Sequence, residues 1–139
     1  MPEKIGRFEL VRVLGKGAQG TVYLARDPHL QRQVAIKTLH VEQGENRERS
    51  IKALLDEARI VSKFQHPNIV TVYDAGEHEG SPYLVFEYVE GTTLAALLKK
   101  QSPLPVARAG EIAAQILDGI AYAHQKQIAH RDLKPANIM

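Results

Sequence analysis

Residues 130–137, near the end of the chain, place an acid, a cation and an amide within six positions of one another. They read H-R-D-L-K-P-A-N and follow a stretch with helical periodicity. In such a loop Asp132 can lie beside an alcohol, Lys134 beside a phosphate and Asn137 on a metal ion. These are the requirements of phosphoryl transfer, in which positioning and charge neutralisation dominate. A solvated charged turn has a similar composition, so the other elements must decide between the two interpretations.

A second cation stands at the end of an apolar strand. Lys37 follows Val34-Ala35-Ile36, and strand alternation predicts that it shares a face with Ala35. A buried ammonium needs an anionic partner. The candidate is Glu57, at the edge of the apolar stripe of the following helix. An ordinary boundary carboxylate at position 57 is the alternative, and it stays open at this level.

A glycine-rich segment, G-x-G-x-x-G over residues 15–20, lies between two predicted strands. A dinucleotide-binding fingerprint would open a helix after the last glycine. Here the β-branched run 21–25 follows directly, so the glycines close a hairpin, and a dinucleotide oxidoreductase is rejected. Backbone amides without neighbouring Cβ atoms can approach phosphate oxygens closely. A flexible hairpin tip without a ligand is the alternative.

Composition bounds the remaining possibilities. The chain has 139 residues, 44% apolar and 24% charged, as expected for a globular domain. Its formal charge of +2 is too small to indicate a nucleic-acid partner, and the lack of cysteine excludes disulfides and thiolate metal sites. No run approaches 18 apolar residues. We therefore expect no membrane segment in this part of the chain and a cytoplasmic location, with room for an anchor further along a longer chain.

Periodicity predicts a strand-rich unit followed by a helical one. The predicted elements are strands at 8–14, 21–25, 33–39, 69–74 and 83–88, a helix over 51–64, and later helices at 94–100 and 106–125. Gly76 and Gly80 are assigned to the turn between the last two strands. Residues 87–91 are predicted to form a hinge, and Thr92 or Thr93 to cap the helix that follows.

With these motifs in order, the chain resembles a eukaryotic-type (Hanks-type) serine/threonine protein kinase domain. The sequence of residues 83–94 resembles bacterial members most. G-x-G-x-x-G-x-V is matched by residues 15–22, V-A-I-K by 34–37 and H-R-D-L-x-x-x-N by 130–137. The resemblance implies an α+β fold: a five-stranded antiparallel small lobe with one helix over 8–87, a hinge at 87–91, and the first helices of an incomplete large lobe over 92–139.

The resemblance also implies a site for ATP and Mg²⁺ and a protein substrate carrying serine or threonine. Lys37 would hold the α- and β-phosphates and pair with Glu57, Asp132 would accept the proton of the attacking hydroxyl, and Lys134 would contact the γ-phosphate. Asn137 would ligate one Mg²⁺. The implied ATP-binding set is Leu14, Gly15, Lys16, Gly17, Ala18, Gln19, Gly20, Val22, Ala35, Lys37, Phe86, Glu87, Val89 and Met139.

The chain departs from the family pattern at its end. Residue 139 precedes any D-F-G segment, whose aspartate holds the principal Mg²⁺, and precedes the activation loop. We expect the physiological protein to be longer, the missing remainder of the large lobe to cover the second unit, and the segment alone to have little activity. Two alternatives remain: a non-catalytic nucleotide-binding or scaffold module, and a kinase-fold phosphotransferase for a small molecule.

Overall fold

Nine elements follow one another in the computed structural model, which describes residues 3–17, 20–41 and 43–125. The strands are β1 Lys4–Ile5, β2 Phe8–Gly17, β3 Gly20–Asp27, β4 Arg32–Leu39, β5 Val72–His78 and β6 Ser81–Glu87, and the helices are α1 Arg47–Val61, α2 Leu94–Lys100 and α3 Val106–Gln125. The predicted α+β class is confirmed, and the bounds of α2 and α3 are those that periodicity predicts.

The six strands form one antiparallel sheet in the order β1-β2-β3-β4-β6-β5. The prediction of five strands missed β1, in which Lys4 pairs with Glu9 and Ile5 with Phe8. Two residues carry no periodicity, so the pattern around them contains no signal for a strand. Ile5 nevertheless belongs to the core, since it is buried against the sheet.

One face of the sheet carries the core of the strand-rich unit. Its buried members are Ile5, Phe8, Ala25, Val34, Ile36 and Val85. Tyr83 packs at the margin, with its ring 6.5 Å from that of Phe8 in an edge-on arrangement. Gly76 lies inside β5 rather than in the predicted turn. A Cβ there would stand 2.8 Å from the Tyr83 hydroxyl, so glycine leaves room for that side chain. The turn is formed by Glu79 and Gly80, both with positive φ.

Helix α1 packs against β5 and, less extensively, β6. Its buried residues are Ile51 and Ala58, seven positions or two turns apart on one face. The Arg47 guanidinium donates to the carbonyl oxygens of Val41 and Gly80. These bonds join the start of the helix to the loop after β4 and to the β5–β6 turn.

The chain divides into two compact units. One comprises the described residues up to 65 together with 70–88, and the other comprises 66–69 together with 89–125. In the second unit Thr93 caps α2, since its hydroxyl accepts from the Ala96 amide at 3.1 Å, as predicted. Within the part of the chain that the structure describes, no helix is both long and apolar enough to cross a membrane.

Residues 66–69 are held to α3 within the second unit. The His66 ring lies 5.1 Å from that of Tyr122, and the Asn68 amide donates to Gln115 at 3.5 Å. Gly119 is buried beneath this loop, where a Cβ would stand 3.2 Å from the Asn68 carbonyl oxygen. A short segment between α1 and β5 therefore belongs structurally with the helices.

Candidate functional site

The glycine-rich segment forms the end of the β2–β3 hairpin, as the sequence predicts. Gly17 pairs with Gly20, and residues 18 and 19 between them, Ala18 and Gln19, lie outside the described residues. Added Cβ atoms at Gly15 and Gly17 would meet no atom of the described residues within 4 Å. Packing therefore does not require glycine at either position, which leaves close approach of a ligand to the backbone as a reason for both.

Gly20 differs from the other two glycines. Its φ is +156°, and a Cβ there would collide with the carbonyl oxygen of Thr38 on the neighbouring strand. Thr38 also holds the next residue, because its hydroxyl accepts from the Thr21 amide and donates to the Thr21 carbonyl, each at 3.3 Å. The third glycine of the motif is thus required by the sheet itself. Nothing in the motif's spacing separates it from the others.

A β-bulge lies beside the glycines. The β2–β3 register shifts between Val13 and Gly15, so Leu14 has no cross-strand partner there, and Gly15 pairs with Val22. A bulge redirects the side chain at the extra position. Leu14 is partly exposed and Val22 half-buried, so both predicted adenine contacts keep accessible surface.

Lys37 lies on the sheet face opposite the core. Val34 and Ile36 are fully buried, whereas Ala35 and Lys37 are half-buried, as alternation predicts. The cross-strand partners of Lys37 are Val22 and Leu84, both half-buried. An ammonium therefore stands at the end of an apolar strip, on the strand next to the glycine hairpin.

Glu57 is exposed on α1 and does not lie within 4.0 Å of Lys37; no ion pair joins the two among the described residues. The helix turns its buried face through Ile51 and Ala58, and Glu57 lies about 100° from Ala58 around the axis. Because Lys37 is only half-buried, water can solvate it without a carboxylate partner. The predicted Lys37–Glu57 pair therefore stays a prediction.

Strand β6 leads from the core to the predicted hinge. Phe86 pairs with Ala35 on one side and Val72 on the other. The Glu87 amide donates to the Thr71 carbonyl at 2.9 Å, so this donor is already engaged. A backbone bond from Glu87 to an adenine edge would therefore use its carbonyl oxygen as acceptor. Val89 belongs to the second unit.

The remaining predicted residues lie outside the described part of the chain. These are Asp132, Lys134, Asn137 and Met139. Over residues 3–17, 20–41 and 43–125, no group of three or more histidine, aspartate or glutamate side chains could hold a metal ion. The predicted Mg²⁺ ligand Asn137 is among the residues outside these ranges.

A buried carboxylate that sequence reasoning missed ties two turns of the sheet together. Asp27 is 1% exposed; it accepts two bonds from the Arg7 guanidinium, at 3.2 and 3.4 Å, and two more from the amides of His29 and Leu30. The bonds from Arg7 and from the two amides lower the pKa of Asp27 despite its burial. The available signal was the Asp27-Pro28 pair, which indicates a turn.

These features place the chain in a defined class. The family model described as "Protein kinase domain" matches residues 8–139, and the chain belongs to that family. The family membership expected from the three motifs is confirmed, and bacterial serine/threonine kinases are among its relatives.

Two curated relatives illustrate the match. The chain is 46% identical over 134 residues to serine/threonine-protein kinase PrkC of Bacillus subtilis, covering 96% of this chain and 20% of the relative. It is 41% identical over 142 residues to serine/threonine-protein kinase PknB of Mycobacterium leprae, covering 99% of this chain and 23% of the relative. The chain thus spans about a fifth to a quarter of these proteins.

A solved structure gives the same result for the fold. The structure of the kinase domain of Mycobacterium tuberculosis PknI superposes with a TM-score of 0.83 at 27% identity, covering 99% of this chain and 56% of the solved chain. The kinase-like fold predicted from the sequence is confirmed.

Proposed function

We propose that the protein containing this chain is an ATP-dependent serine/threonine protein kinase, which transfers the γ-phosphoryl group of ATP to a protein hydroxyl. The observation that carries the proposal is the position of Lys37. It lies half-buried on the sheet face opposite the core, next to a hairpin in which Gly15 and Gly17 have no described neighbour within 4 Å of an added Cβ. The relatives named above are serine/threonine-protein kinases, which favours this activity over phosphorylation of a small molecule.

The described residues would bind the nucleotide from the strand-rich unit. Backbone amides between Gly15 and Gly20 would donate to phosphate oxygens, and Lys37 would neutralise the α- and β-phosphates. Val22 and Ala35, half-buried on one face, offer apolar contact for a purine ring. Leu14 and Met139 would complete that contact, with Phe86 limiting the depth of the pocket and Glu87 and Val89 offering backbone groups.

The loop 130–137 would supply the groups that act on the transferred phosphoryl. Asp132 would orient the attacking hydroxyl and accept its proton, and Lys134 would stabilise charge on the γ-phosphate. Mg²⁺, when bound, neutralises phosphate charge, and Asn137 would be one of its ligands. Glu57 would pair with Lys37 once α1 brings it close enough, which couples helix position to activity.

The segment of 139 residues by itself should transfer phosphate poorly. It contains no D-F-G sequence, and an anionic Mg²⁺ ligand is central to charge stabilisation. Purified segment and full-length protein, assayed side by side with Mg-ATP and a basic acceptor protein, test this. Comparable transfer by the segment would refute its inactivity and leave the assignment as a kinase intact.

The test of the activity uses the full-length protein with labelled ATP and an acceptor protein, followed by identification of the phosphorylated amino acid. Phosphoserine or phosphothreonine is expected. Asp132→Asn should lower kcat by about 10³-fold with little change in ATP affinity, because Asp132 acts in the transition state. Asp118→Asn, at an exposed position on α3, is the control. Equal activity of wild type and Asp132→Asn, or transfer only to a small molecule, would overturn the proposal.

A further inference from the structure

The base of the glycine hairpin consists of the first two residues of β3 and their partners on β4. Gly20 pairs with Leu39, and Thr21 with Thr38. Thr38 Oγ1 accepts a hydrogen bond from the Thr21 amide and donates one to the Thr21 carbonyl, both at 3.3 Å. A single side chain therefore holds both backbone groups of the residue that directly follows the glycine motif.

Glycine at position 20 also allows the start of β3 to pack closely against β4. A Cβ on Gly20 would lie 2.7 Å from the carbonyl carbon of Thr38 and 3.3 Å from the Cα of Leu39, so the two backbones approach more closely than any side chain would allow. Cβ atoms added at Gly15 and Gly17, by contrast, would meet no described residue within 4 Å. The hairpin thus has space around Gly15 and Gly17 among the described residues and a fixed base at Gly20.

Thr38 directly follows Lys37, and successive residues of a strand point to opposite faces. Lys37 stands on the half-open face with Val22, whereas Thr38 lies on the core face, where its neighbour across the sheet is Tyr83. One dipeptide therefore links the proposed phosphate-binding ammonium to the strand that carries the glycine amides.

We propose that Thr38 is a positioning residue for the nucleotide site, whose hydroxyl sets the base of the glycine hairpin relative to Lys37. The inference rests on the proposed function, because only a bound nucleotide would use the hairpin and the lysine together. Bonds of 3.3 Å are long, so each contributes modestly. A several-fold effect on nucleotide affinity is expected rather than a loss of the fold.

The experiment replaces Thr38 by valine in the full-length protein, which removes the hydroxyl and keeps the branched shape. We expect KM for ATP to rise about three- to tenfold with kcat within twofold. Amide hydrogen exchange of the nucleotide-free protein should accelerate three- to tenfold at Thr21 and Val22 and remain unchanged at Ala25, further along β3. The exchange readout requires no catalytic activity.

Two pairs of proteins differ mainly in the hydroxyl at position 38: wild type with Thr38→Val, and Thr38→Ser with Thr38→Ala. Thr38→Ser should restore both KM and exchange to near wild type. If Thr38→Val does not fold, KM and exchange rates of Thr38→Ser and Thr38→Ala are compared instead, since these two variants both lack the methyl group and differ in the hydroxyl. Thr71→Val is the matched control; Thr71 is a half-buried threonine whose hydroxyl makes no hydrogen bond to the described residues.

Three outcomes would overturn the role of Thr38: unchanged KM and exchange in Thr38→Val, acceleration of exchange across the whole sheet, or equal effects in Thr71→Val. A wild-type protein that transfers no phosphate would refute the proposed function instead. In that case the local exchange at Thr21 and Val22 still decides whether Thr38 holds the hairpin base.

Discussion

The two faces of the sheet differ in how completely they are buried. On one face, residues of β2, β3, β4 and β6 form a closed apolar core, and Val34 and Ile36 have no exposed surface. On the other face, Leu24 is buried beside Ala35, but Val22, Ala35 and Lys37 are only half-buried although they stand on the same strands. Consecutive residues of β4 therefore experience different environments.

The difference separates stability from binding. A fully buried side chain contributes its whole transfer free energy to folding, whereas a half-buried one retains surface that a ligand can cover. The motif V-A-I-K alternates between the two: Val34 and Ile36 serve the core, and Ala35 and Lys37 serve the proposed site. Substitutions on the core face of β4 should therefore lower the unfolding free energy, and substitutions on the other face should lower activity.

The largest effect is expected on the open face. Lys37→Met in the full-length protein should lower the proposed phosphoryl transfer by about 10²- to 10³-fold, because it removes the positive charge proposed to neutralise the phosphates. The melting temperature should change little, since Lys37 is half-buried and its loss leaves no buried partner unpaired. Lys63→Met, at an exposed site after α1, is the control for loss of a lysine. Full activity of Lys37→Met would contradict the assignment of this face.

The core face should show the reverse pattern. Ile36→Ala is expected to cost about 2–5 kcal/mol of unfolding free energy, because the site is fully buried and a cavity remains. Val22→Ala, on the opposite face, should cost about 1 kcal/mol. Chemical denaturation followed by circular dichroism gives both values. Similar losses at the two positions would mean that the faces are buried alike in solution.

A smaller effect is expected at the edge of the core, where Asp27 accepts bonds from Arg7. Asp27→Asn should destabilise the fold by about 2 kcal/mol at pH 7, a usual value for bonds to a charged group. The folded pKa of Asp27 is lowered, so its contribution is present above the unfolded value of about 4 and is lost as pH falls through the folded pKa. The difference between wild type and variant should therefore shrink towards pH 3.

The control for this prediction is Asp56→Asn. Asp56 pairs with Arg59 at 3.0 Å on the exposed side of α1, and an exposed pair contributes at most about 1 kcal/mol. Unfolding free energies measured from pH 7 to pH 3 would test both variants. If the loss of unfolding free energy in Asp27→Asn did not change with pH, geometry and not ionisation of Asp27 would account for the effect.

Much of the fold was predictable because its signals are local. The period of 3.6 defined α2 and α3, Thr93 identified a cap, and the glycines followed by a β-branched run identified a hairpin. The three motifs identified the family because residue type and spacing can be read directly from the sequence. Periodicity failed where an element was too short, as in β1, or where a glycine served a distant side chain, as Gly76 serves Tyr83.

The sequence by itself determined the family, the α+β class and the bounds of α2 and α3, and it supplied the residues proposed to act on a nucleotide, since these depend on residue type and spacing along the chain. Only the tertiary structure decided that the sheet requires Gly20 but, among the described residues, not Gly15 or Gly17, and that Glu57 forms no ion pair with Lys37 there. Both depend on how closely separate backbone segments approach, which is set by packing across the sheet and around α1 and is absent from any local pattern.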